Sequence, residues 1–262
     1  MLSTKAKESN AEPQLTEMEI GERCNAIIKN LDEGKSPDAN EIKFLISTDV
    51  VSRNMRNPGN GPIGKFAAKM MENVNCNQCV GSAEKCNLKP DESVLEIGTG
   101  GHGFAMEKLL ETKGLKKLVG IEISDSLRAQ VAQKFEKEIQ RNELELVGTD
   151  CKDLKEIFPI DDSVDCILAI NVVYFLHPLG EYLKEMYRVL KPKDGRILLS
   201  CKENIRNTTS VEDETTVFKN TNFDQIATKC KEAGFKVEIE EVHFEENPSW
   251  NDFVLIKLKK MK

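Results

Sequence analysis

One stretch of sequence decides the fold of this 262-residue chain: Ser93-Val94-Leu95-Glu96-Ile97-Gly98-Thr99-Gly100-Gly101-His102-Gly103. It opens with a short apolar run typical of a buried strand, and the apolar spacing of residues 104–111 then predicts a helix. Gly98, Gly100 and Gly103 match the pattern G-x-G-x-x-G, in which glycines allow a tight turn and bring helix N–H groups close to a ligand. The stretch therefore predicts a strand, a ligand-binding turn and a helix of an α/β sheet.

Two acidic residues bear on the kind of ligand. Glu96 lies two residues before the first glycine, where a carboxylate would repel a pyrophosphate and would suit a ligand with an ammonium or sulfonium group. Glu122 lies near the end of a second predicted strand, 117–123, where an acid accepts hydrogen bonds from ribose hydroxyls of a dinucleotide or of an adenosyl ligand. Glu96 thus separates the two ligand classes and Glu122 does not. The alternative for Glu96 is a solvated strand-end acid, but the run around it is apolar.

Short apolar runs alternate with amphipathic helices after Pro90. Ser124 can cap a helix whose buried stripe is Leu127, Val131, Phe135 and Ile139. Such alternation predicts a parallel sheet with right-handed crossovers, and the last two strands, which have no helix between them, predict an antiparallel hairpin at one edge. The strands are predicted at 93–97, 117–123, 144–147, 164–170, 196–201, 236–244 and 253–258, and further helices run up to Leu190 and over 223–233.

Polar residues follow two more of the predicted strands. Asp150 follows the third strand, where it could accept a hydrogen bond from an adenine amine, and Asn171 ends the fourth. Open α/β sheets bind ligands at the carboxyl ends of their strands. Glu96, Glu122, Asp150 and Asn171 are therefore predicted to form one site. The polar, irregular segment 203–222 follows the fifth strand and could border the same site.

The part of the chain before Pro90 has a different pattern. Residues 1–16 are polar and are predicted to be a disordered tail. Residues 17–88 are predicted to be a helical extension, since apolar residues recur at helical spacing from Met18 to Leu31, over 38–47 and from 63 toward 86. The Pro- and Gly-rich loop at 56–64 could serve as a lid. The extension could equally be an appendage that packs on the sheet edge or on a second copy.

Composition excludes several classes of protein. Acidic residues outnumber basic ones by 44 to 37, giving a formal net charge of −7. This charge argues against a main task of holding a polyanion, since phosphate contacts depend on Lys and Arg. No apolar run reaches the ~18 residues of a membrane span, and the polar start lacks the apolar segment of a secretory signal. We therefore expect a cytoplasmic protein with nucleic acid as an unfavourable partner.

The chain has eight cysteines, which we expect to be free thiols because the expected compartment is reducing. Cys76, Cys79 and Cys86 are spaced like metal ligands. A structural zinc site needs four ligands, however, and the neighbouring sequence offers no His or further Cys. Zinc or redox chemistry is one interpretation and incidental thiols on a helix the other. We favour the second and predict no metal.

Five sequence blocks together resemble class I S-adenosylmethionine-dependent methyltransferases: residues 94–109, 120–124, Asp150, 164–175 and 187–195. The order and spacing of the blocks make the resemblance specific, and it covers about residues 90–262. Within that superfamily, the segments 55–75 and 171–175 are similar to a group of small methyltransferase-domain proteins.

The resemblance implies a fold, a cofactor and a set of binding residues. The fold is α/β, a Rossmann-like seven-stranded sheet of order 3-2-1-4-5-7-6 with strand 7 antiparallel and helices on both faces, formed by a domain at 89–262. The cofactor is S-adenosyl-L-methionine. Its methionine and ribose parts would contact the glycine turn, and its ribose would also contact Glu122. Its adenine would contact the residues after strands two and three, and its sulfonium end would contact Asn171. The full set is Glu96, Gly98, Thr99, Gly100, Glu122, Ile123, Leu127, Asp150, Cys151 and Asn171.

The sequence departs from the family pattern at two places. His102 occupies the position of the third glycine of the usual acid-x-Gly-x-Gly-x-Gly turn, with Gly101 and Gly103 on either side. Asn171 to Tyr174 has the spacing of the Asn-Pro-Pro-Tyr motif of amino-methylating enzymes, but Val172 and Val173 replace both prolines. We therefore do not infer methylation of nucleobases or of glutamine.

Methyl transfer from a sulfonium is an in-line displacement that needs alignment and desolvation, and a base where the acceptor must lose a proton. Three residues near predicted strand ends are candidates for that base: His102, Tyr174 and His177. Each has a simpler interpretation, since His102 could fill the turn, Tyr174 could pack against the cofactor and His177 could cap the following helix.

Methyl transfer to a small-molecule or lipid-like acceptor is the leading functional hypothesis. A nicotinamide-dependent oxidoreductase is the second, because the glycine pattern also occurs in dinucleotide-binding proteins. A non-catalytic scaffold that binds a protein partner is the third. Glu96, Asp150 and the terminal hairpin argue against the second, and the intact glycines and Glu122 argue against the third. The sequence does not indicate the oligomeric state, and it does not identify which atom of the acceptor is methylated.

Overall fold

The computed structural model describes residues 15–35, 38–206, 217–245 and 251–261. Residues 1–14 of the predicted disordered tail lie outside these ranges, as do residues 207–216 of the predicted pocket-bordering segment at 203–222.

The centre of the protein is a seven-stranded sheet of order β3-β2-β1-β4-β5-β7-β6. Strands β1 to β5 are parallel to one another, and β7 is antiparallel to both β5 and β6. The predicted topology and the terminal hairpin are thus confirmed. The strands are β1 Ser93–Ile97, β2 Lys117–Ile121, β3 Glu145–Val147, β4 Cys166–Ile170, β5 Arg196–Lys202, β6 Phe235–Val242 and β7 Phe253–Lys260.

The helices agree with the sequence pattern except at two places. Residues 49–56 form a helix that was not predicted, and the stripe from Leu127 to Ile139 lies on two helices because Phe135 leaves the helical conformation at ψ 29°. The helices are α1 Glu17–Asp32, α2 Ala39–Ser47, α3 Asp49–Arg56, α4 Pro62–Lys85, α5 Phe104–Leu110, α6 Asp125–Lys134, α7 Glu136–Gln140, α8 Leu179–Val189 and α9 Phe223–Glu232, with short 3-10 turns at Val173–Phe175 and Glu203–Ile205.

Alternate residues of the buried strands face two separate cores. Leu95 and Ile97 of β1 pack on the face covered by α8 and α9, whereas Val94 packs on the face covered by α5, α6 and the end of α4. Because side chains of a strand point alternately to the two faces, a strand buried on both faces reads as a continuous apolar run. The predicted arrangement of helices on both faces is therefore confirmed.

The N-terminal helices have a small core of their own, which includes Ile20, Cys24, Leu45 and Phe66. Helix α4 connects this core to the sheet, since its first half contributes Phe66 and its second half contributes Ala83 to the core of the sheet. The extension thus shares one long helix with the rest of the fold, and a domain boundary at residue 88 stays a prediction. Within the described ranges, no helix combines the length and the apolar character of a membrane-crossing segment.

Candidate active site

A cavity of about 170 Å³ lies at the carboxyl ends of the parallel strands. Strands β1, β2 and β4 contribute residues to its floor, and helix α4 and the end of α3 contribute residues to its roof. Every cofactor-binding residue predicted from the sequence lines this cavity: Glu96, Gly98, Thr99, Gly100, Glu122, Ile123, Leu127, Asp150, Cys151 and Asn171.

The turn after β1 requires glycine at specific positions. Gly98 has a φ of +76°, and a Cβ atom there would lie 2.5 Å from Cγ2 of Val172. Gly103 has a φ of +55°, and its Cβ would lie 2.6 Å from the ring of Phe135. A Cβ at Gly100, whose φ is +63°, would instead meet open space. The turn therefore packs tightly against the protein on one side and leaves room beside Gly100 on the other.

Glu122 is fixed by two backbone N–H groups. Its Oε2 accepts a hydrogen bond from Gly100 N at 3.0 Å, and its Oε1 accepts one from Ser124 N at 2.9 Å. Burial raises the pKa of this carboxyl, and the hydrogen bonds from Ser124 and Gly100 partly offset the rise. Each carboxylate oxygen has two acceptor positions, so both oxygens can still accept a hydroxyl. The arrangement fits a ribose diol at the end of β2.

Glu96 lies deeper in the cavity and is 2% exposed. Burial, followed by the negative charge of Glu122, raises the pKa of Glu96 from its usual 4.5 to about 8. Within the described part of the chain, its Oε2 has no hydrogen-bond partner. A buried carboxyl in this state favours a cationic ligand, since a positive charge would stabilise the ionised form.

Asp150 is oriented by two donors. Its Oδ1 accepts a hydrogen bond from Lys152 N at 3.1 Å, and its Oδ2 accepts one from the Tyr182 hydroxyl at 3.2 Å. Burial raises the pKa of Tyr182 to about 12, so the hydroxyl stays protonated and acts as a donor. Burial also raises the pKa of the adjacent Cys151 thiol to about 12, which keeps it uncharged. Tyr182 lines the cavity as well but was not predicted, because in sequence it is one apolar position of α8.

Asn171 lines the cavity, but its side chain bonds elsewhere. Its Nδ2 donates to Gln78 Oε1 at 2.8 Å, and its Oδ1 accepts from Gln78 Nε2 at 3.2 Å and from Lys202 N at 3.2 Å. Gln78 is fully buried on α4 and also donates to Ser200 Oγ at 2.9 Å. The amide of Asn171 thus ties α4 to the sheet. The backbone of Asn171 has a φ of +56°, and its contact with a sulfonium stays a prediction.

The three candidate bases lie in three different environments. His102 lines the cavity, and its Nε2 lies 3.1 Å from Oε1 of Glu72 on α4. Tyr174 lies behind the wall, 1% exposed, where its hydroxyl accepts a hydrogen bond from Lys202 N at 2.7 Å and burial holds its pKa well above the ordinary value. His177 lines a separate depression beside α8. His102 is thus the candidate that the structure brings to the cavity.

The loop between α3 and α4 is attached to the opposite rim. The carbonyl of Pro58 accepts hydrogen bonds from Ser124 Oγ at 2.9 Å and Ser126 Oγ at 3.1 Å, at the N-terminus of α6. Pro58 and its neighbour Arg56 line the cavity. The predicted lid segment therefore lies where a lid would act.

Helix α4 supplies cavity residues that the sequence did not reveal: Ala68, Met71, Glu72, Asn75 and Cys79. No sequence pattern marked these residues as part of the site, because the helix is separate in sequence from the glycine turn. Cys76, Cys79 and Cys86 lie on or just after this helix as free thiols, and burial raises the pKa of Cys79 to about 12. Among the described residues, no group of three His, Cys, Asp or Glu is arranged to hold a metal ion.

Comparison with known proteins agrees with the fold. Residues 95–199 match the family described as Methyltransferase domain. The ubiquinone/menaquinone biosynthesis C-methyltransferase of Geotalea daltonii is 27% identical over 118 residues, which are 45% of this chain and 48% of that protein. The chain thus spans about half the length of the curated relative that it matches.

Solved structures share the fold at low sequence identity. A chain of the Haloferax volcanii complex that contains the Trm112 methyltransferase activator is 19% identical, with a TM-score of 0.59 and coverage of 74% of this chain and 93% of that one. A SAM-dependent methyltransferase from Aquifex aeolicus is 17% identical, with a TM-score of 0.52 and coverage of 80% and 97%. Residues 95–199 are thus similar in sequence to a methyltransferase domain, and the solved structures share the fold of the chain.

Proposed function

We propose that the protein transfers a methyl group from S-adenosylmethionine to a small-molecule or lipid-like acceptor held between the sheet and helix α4. One observation carries the proposal: Glu96, Glu122 and Asp150, which end or follow three adjacent strands, line a single cavity. Because the strands are ordered β3-β2-β1-β4, the three acids follow one another along the cavity floor in the order Asp150, Glu122, Glu96. A cationic ligand that contains a ribose and an adenine matches this series of acids.

Each part of the cofactor has residues suited to hold it. The adenine would lie near Asp150 and the apolar side chains of Ile123 and Leu127. The ribose hydroxyls would donate to Glu122, whose carboxylate Gly100 N and Ser124 N already orient. The ammonium group of the methionine part would lie toward Glu96, whose Oε2 has no partner among the described residues. When bound, the cofactor supplies a methyl group on a positively charged sulfur, which is activated for attack.

The residues of this chain would align the acceptor and exclude water from it. Alignment alone contributes several kcal/mol, because bringing two reactants together in the reactive geometry replaces a bimolecular encounter. The wall opposite the strands carries mostly apolar side chains, including Met55, Ala68, Met71 and Phe104. Such a wall favours an acceptor with apolar surface and removes water from the nucleophile.

Two further observations support a small or lipid-like acceptor. The loop at Pro58 bonds across the rim to Ser124 and Ser126, which narrows the access that a large duplex or protein surface would need. The net charge of −7 also disfavours a polyanionic acceptor. The name of the Geotalea daltonii relative places that protein in ubiquinone and menaquinone biosynthesis, and an apolar acceptor for this chain agrees with that likeness.

Calorimetric titration of the full chain with S-adenosylhomocysteine and with NAD tests the cofactor. We expect S-adenosylhomocysteine to bind and NAD not to bind. Glu122→Ala should raise the Kd for S-adenosylhomocysteine about 10- to 100-fold, because hydrogen bonds to a charged group contribute about 1.5–3 kcal/mol. Glu156→Ala, at an exposed glutamate away from the cavity, is the matched control and should leave the Kd unchanged.

Two results would refute the proposal. NAD binding without S-adenosylhomocysteine binding would make the protein a dinucleotide-binding protein. An unchanged Kd in folded Glu122→Ala would show that the cofactor does not lie along β2. The acceptor itself is sought by incubating the chain with methyl-labelled cofactor and a metabolite extract. A labelled product that partitions into organic solvent supports the acceptor class, and labelled nucleic acid contradicts it.

A further inference from the structure

His102 and Glu72 form a pair that spans the cavity from two distant segments. His102 lies in the glycine turn, Glu72 lies on α4, and Nε2 of the imidazole is 3.1 Å from Oε1 of the carboxylate. Both residues line the cavity. The imidazole also stacks on Phe104, with 5.4 Å between ring centroids and 17° between ring planes. The ring is therefore held in one orientation by a carboxylate at one nitrogen and an aromatic face beside it.

The carboxylate selects the tautomer of the imidazole. When Nε2 donates its proton to Glu72, the lone pair of the neutral ring is on Nδ1. Two lysines lie beside the pair: Lys69 lies 3.6 Å from Oε2 of Glu72, and Lys134 donates to the backbone carbonyl of His102 and to Glu107. Glu72 is thus the carboxylate that contacts the imidazole.

Building on the proposed methyl transfer, we propose that His102 is the general base of the reaction. The molecule that receives the methyl group is then a neutral, largely apolar compound with a phenolic hydroxyl group. As the oxygen attacks, the O–C bond forms, the C–S bond breaks and its electron pair remains on sulfur. The hydroxyl proton passes to Nδ1 of His102, and the resulting imidazolium is paired with Glu72. Glu72 is a positioning residue, because it acts on the acceptor through His102.

The charges of the cavity favour a hydroxyl over other nucleophiles. Glu72 would repel a carboxylate or a phosphate on the acceptor. Arg56, the one cationic residue among those lining the described cavity, is close enough to Tyr182 to offset part of the rise that burial causes in the pKa of Tyr182, and so lies toward the Asp150 end. A neutral amine attacks without prior loss of a proton, whereas a phenol, with a pKa near 10, gains from a base. A carboxylate-oriented imidazole therefore matches a phenol best.

The test uses the full chain, methyl-labelled S-adenosylmethionine and three probes of one shape: naphthol, naphthylamine and naphthoate. We expect the methyl group to be transferred to naphthol. His102→Gln should lower kcat about 100-fold or more, as loss of a general base does, while the Kd for S-adenosylhomocysteine stays within about twofold. Glu72→Gln should lower kcat by less than His102→Gln does and leave KM unchanged. Glu84→Gln, elsewhere on α4, should match the wild type.

The outcomes separate this inference from the proposed function. If the wild-type chain does not bind S-adenosylhomocysteine, the proposed function fails. If it binds S-adenosylhomocysteine but methylates naphthylamine, naphthoate or none of the probes, the hydroxyl acceptor is wrong and the cofactor assignment stands. Naphthol methylation that is unaffected in His102→Gln would overturn the role of His102. An unchanged kcat in Glu72→Gln, or a change in KM alone, would overturn the role of Glu72.

Discussion

Replacing Glu96 by glutamine should stabilise the ligand-free protein while weakening its hold on the cofactor. Glu96 is 2% exposed, and burial raises its pKa from 4.5 to about 8. Above its ordinary pKa the unfolded chain carries an ionised Glu96, whereas the folded chain must hold the carboxyl protonated until the pH approaches 8. Folding therefore takes up a proton in this window, and the stability that the protonated site provides is lost as the pH rises.

The magnitude follows from the width of that window. Each pH unit between the two pKa values costs about 1.4 kcal/mol. From 4.5 to 7 the cost reaches about 3 kcal/mol, and from 4.5 to 8 it reaches about 5 kcal/mol, as upper values for the buried carboxyl. Glutamine has nearly the shape of a protonated glutamic acid and does not ionise. Glu96→Gln should thus remove most of this cost above neutral pH and none of it near pH 4.5.

Thermal unfolding of the wild type and of Glu96→Gln between pH 5 and pH 8.5 measures the effect. The two Tm values should nearly coincide at pH 5 and diverge as the pH rises, with the variant higher by about 5 °C or more at pH 8, at about 2–4 °C per kcal/mol. Glu156→Gln is the exposed control and should follow the wild type throughout. Parallel curves for the wild type and Glu96→Gln would refute the reasoning, since they would mean that Glu96 titrates alike in both states.

Binding of S-adenosylmethionine at pH 7 should release up to about one proton, because a cation beside Glu96 favours the ionised form of that carboxyl. Calorimetric titration in buffers of different ionisation enthalpy measures the number of protons released, and the Glu96→Gln variant should release none. Gln78→Leu should lower the free energy of unfolding in urea by about 2–4 kcal/mol, since it leaves buried polar partners without hydrogen bonds, whereas the exposed Gln140→Leu should change it by less than about 0.5 kcal/mol. Gly98→Ala should raise the Kd for S-adenosylhomocysteine at least about tenfold, because its Cβ would lie 2.5 Å from Val172 at a positive φ, and adding Val172→Ala should restore part of the affinity; an unaltered Kd in Gly98→Ala would contradict the tight turn.

The sheet was predictable because its signals are local. A buried parallel strand is a short apolar run, and the glycine turn between 97 and 104 marks where β1 ends and α5 begins. Helix α3 was not predicted, because polar residues such as Arg53 and Asn54 break the apolar spacing of so short a helix. The break at Phe135 was not predicted either, since its ring continues the apolar stripe and packs over Gly103 while the backbone leaves the helix.

The part of the cavity formed by strand ends was predictable for the same reason, and the part formed by α4 was not. Glu96, Glu122 and Asp150 each lie at or just after the end of a strand, so the topology alone brings them together. Glu72 reaches the cavity and Gln78 reaches Asn171 because α4 packs across β4 and α5, and this long-range contact leaves no mark in the sequence near the glycine turn. Asn171 illustrates the limit: its position was predicted, but its side chain bonds to Gln78.

This division has a consequence for how the protein selects its acceptor. The residues suited to the cofactor come from strand ends, where the sheet fixes their positions, whereas the acceptor wall comes from α3 and α4, whose first half packs in a separate small core. Substitutions at Met71 or Ala68 on α4 can therefore reshape the acceptor space without touching the strand ends. The bonds from Gln78 to Asn171 and Ser200 limit that freedom, because they fix the height of α4 over the sheet. Acceptor preference should accordingly respond to side-chain size on α4 far more than cofactor affinity does.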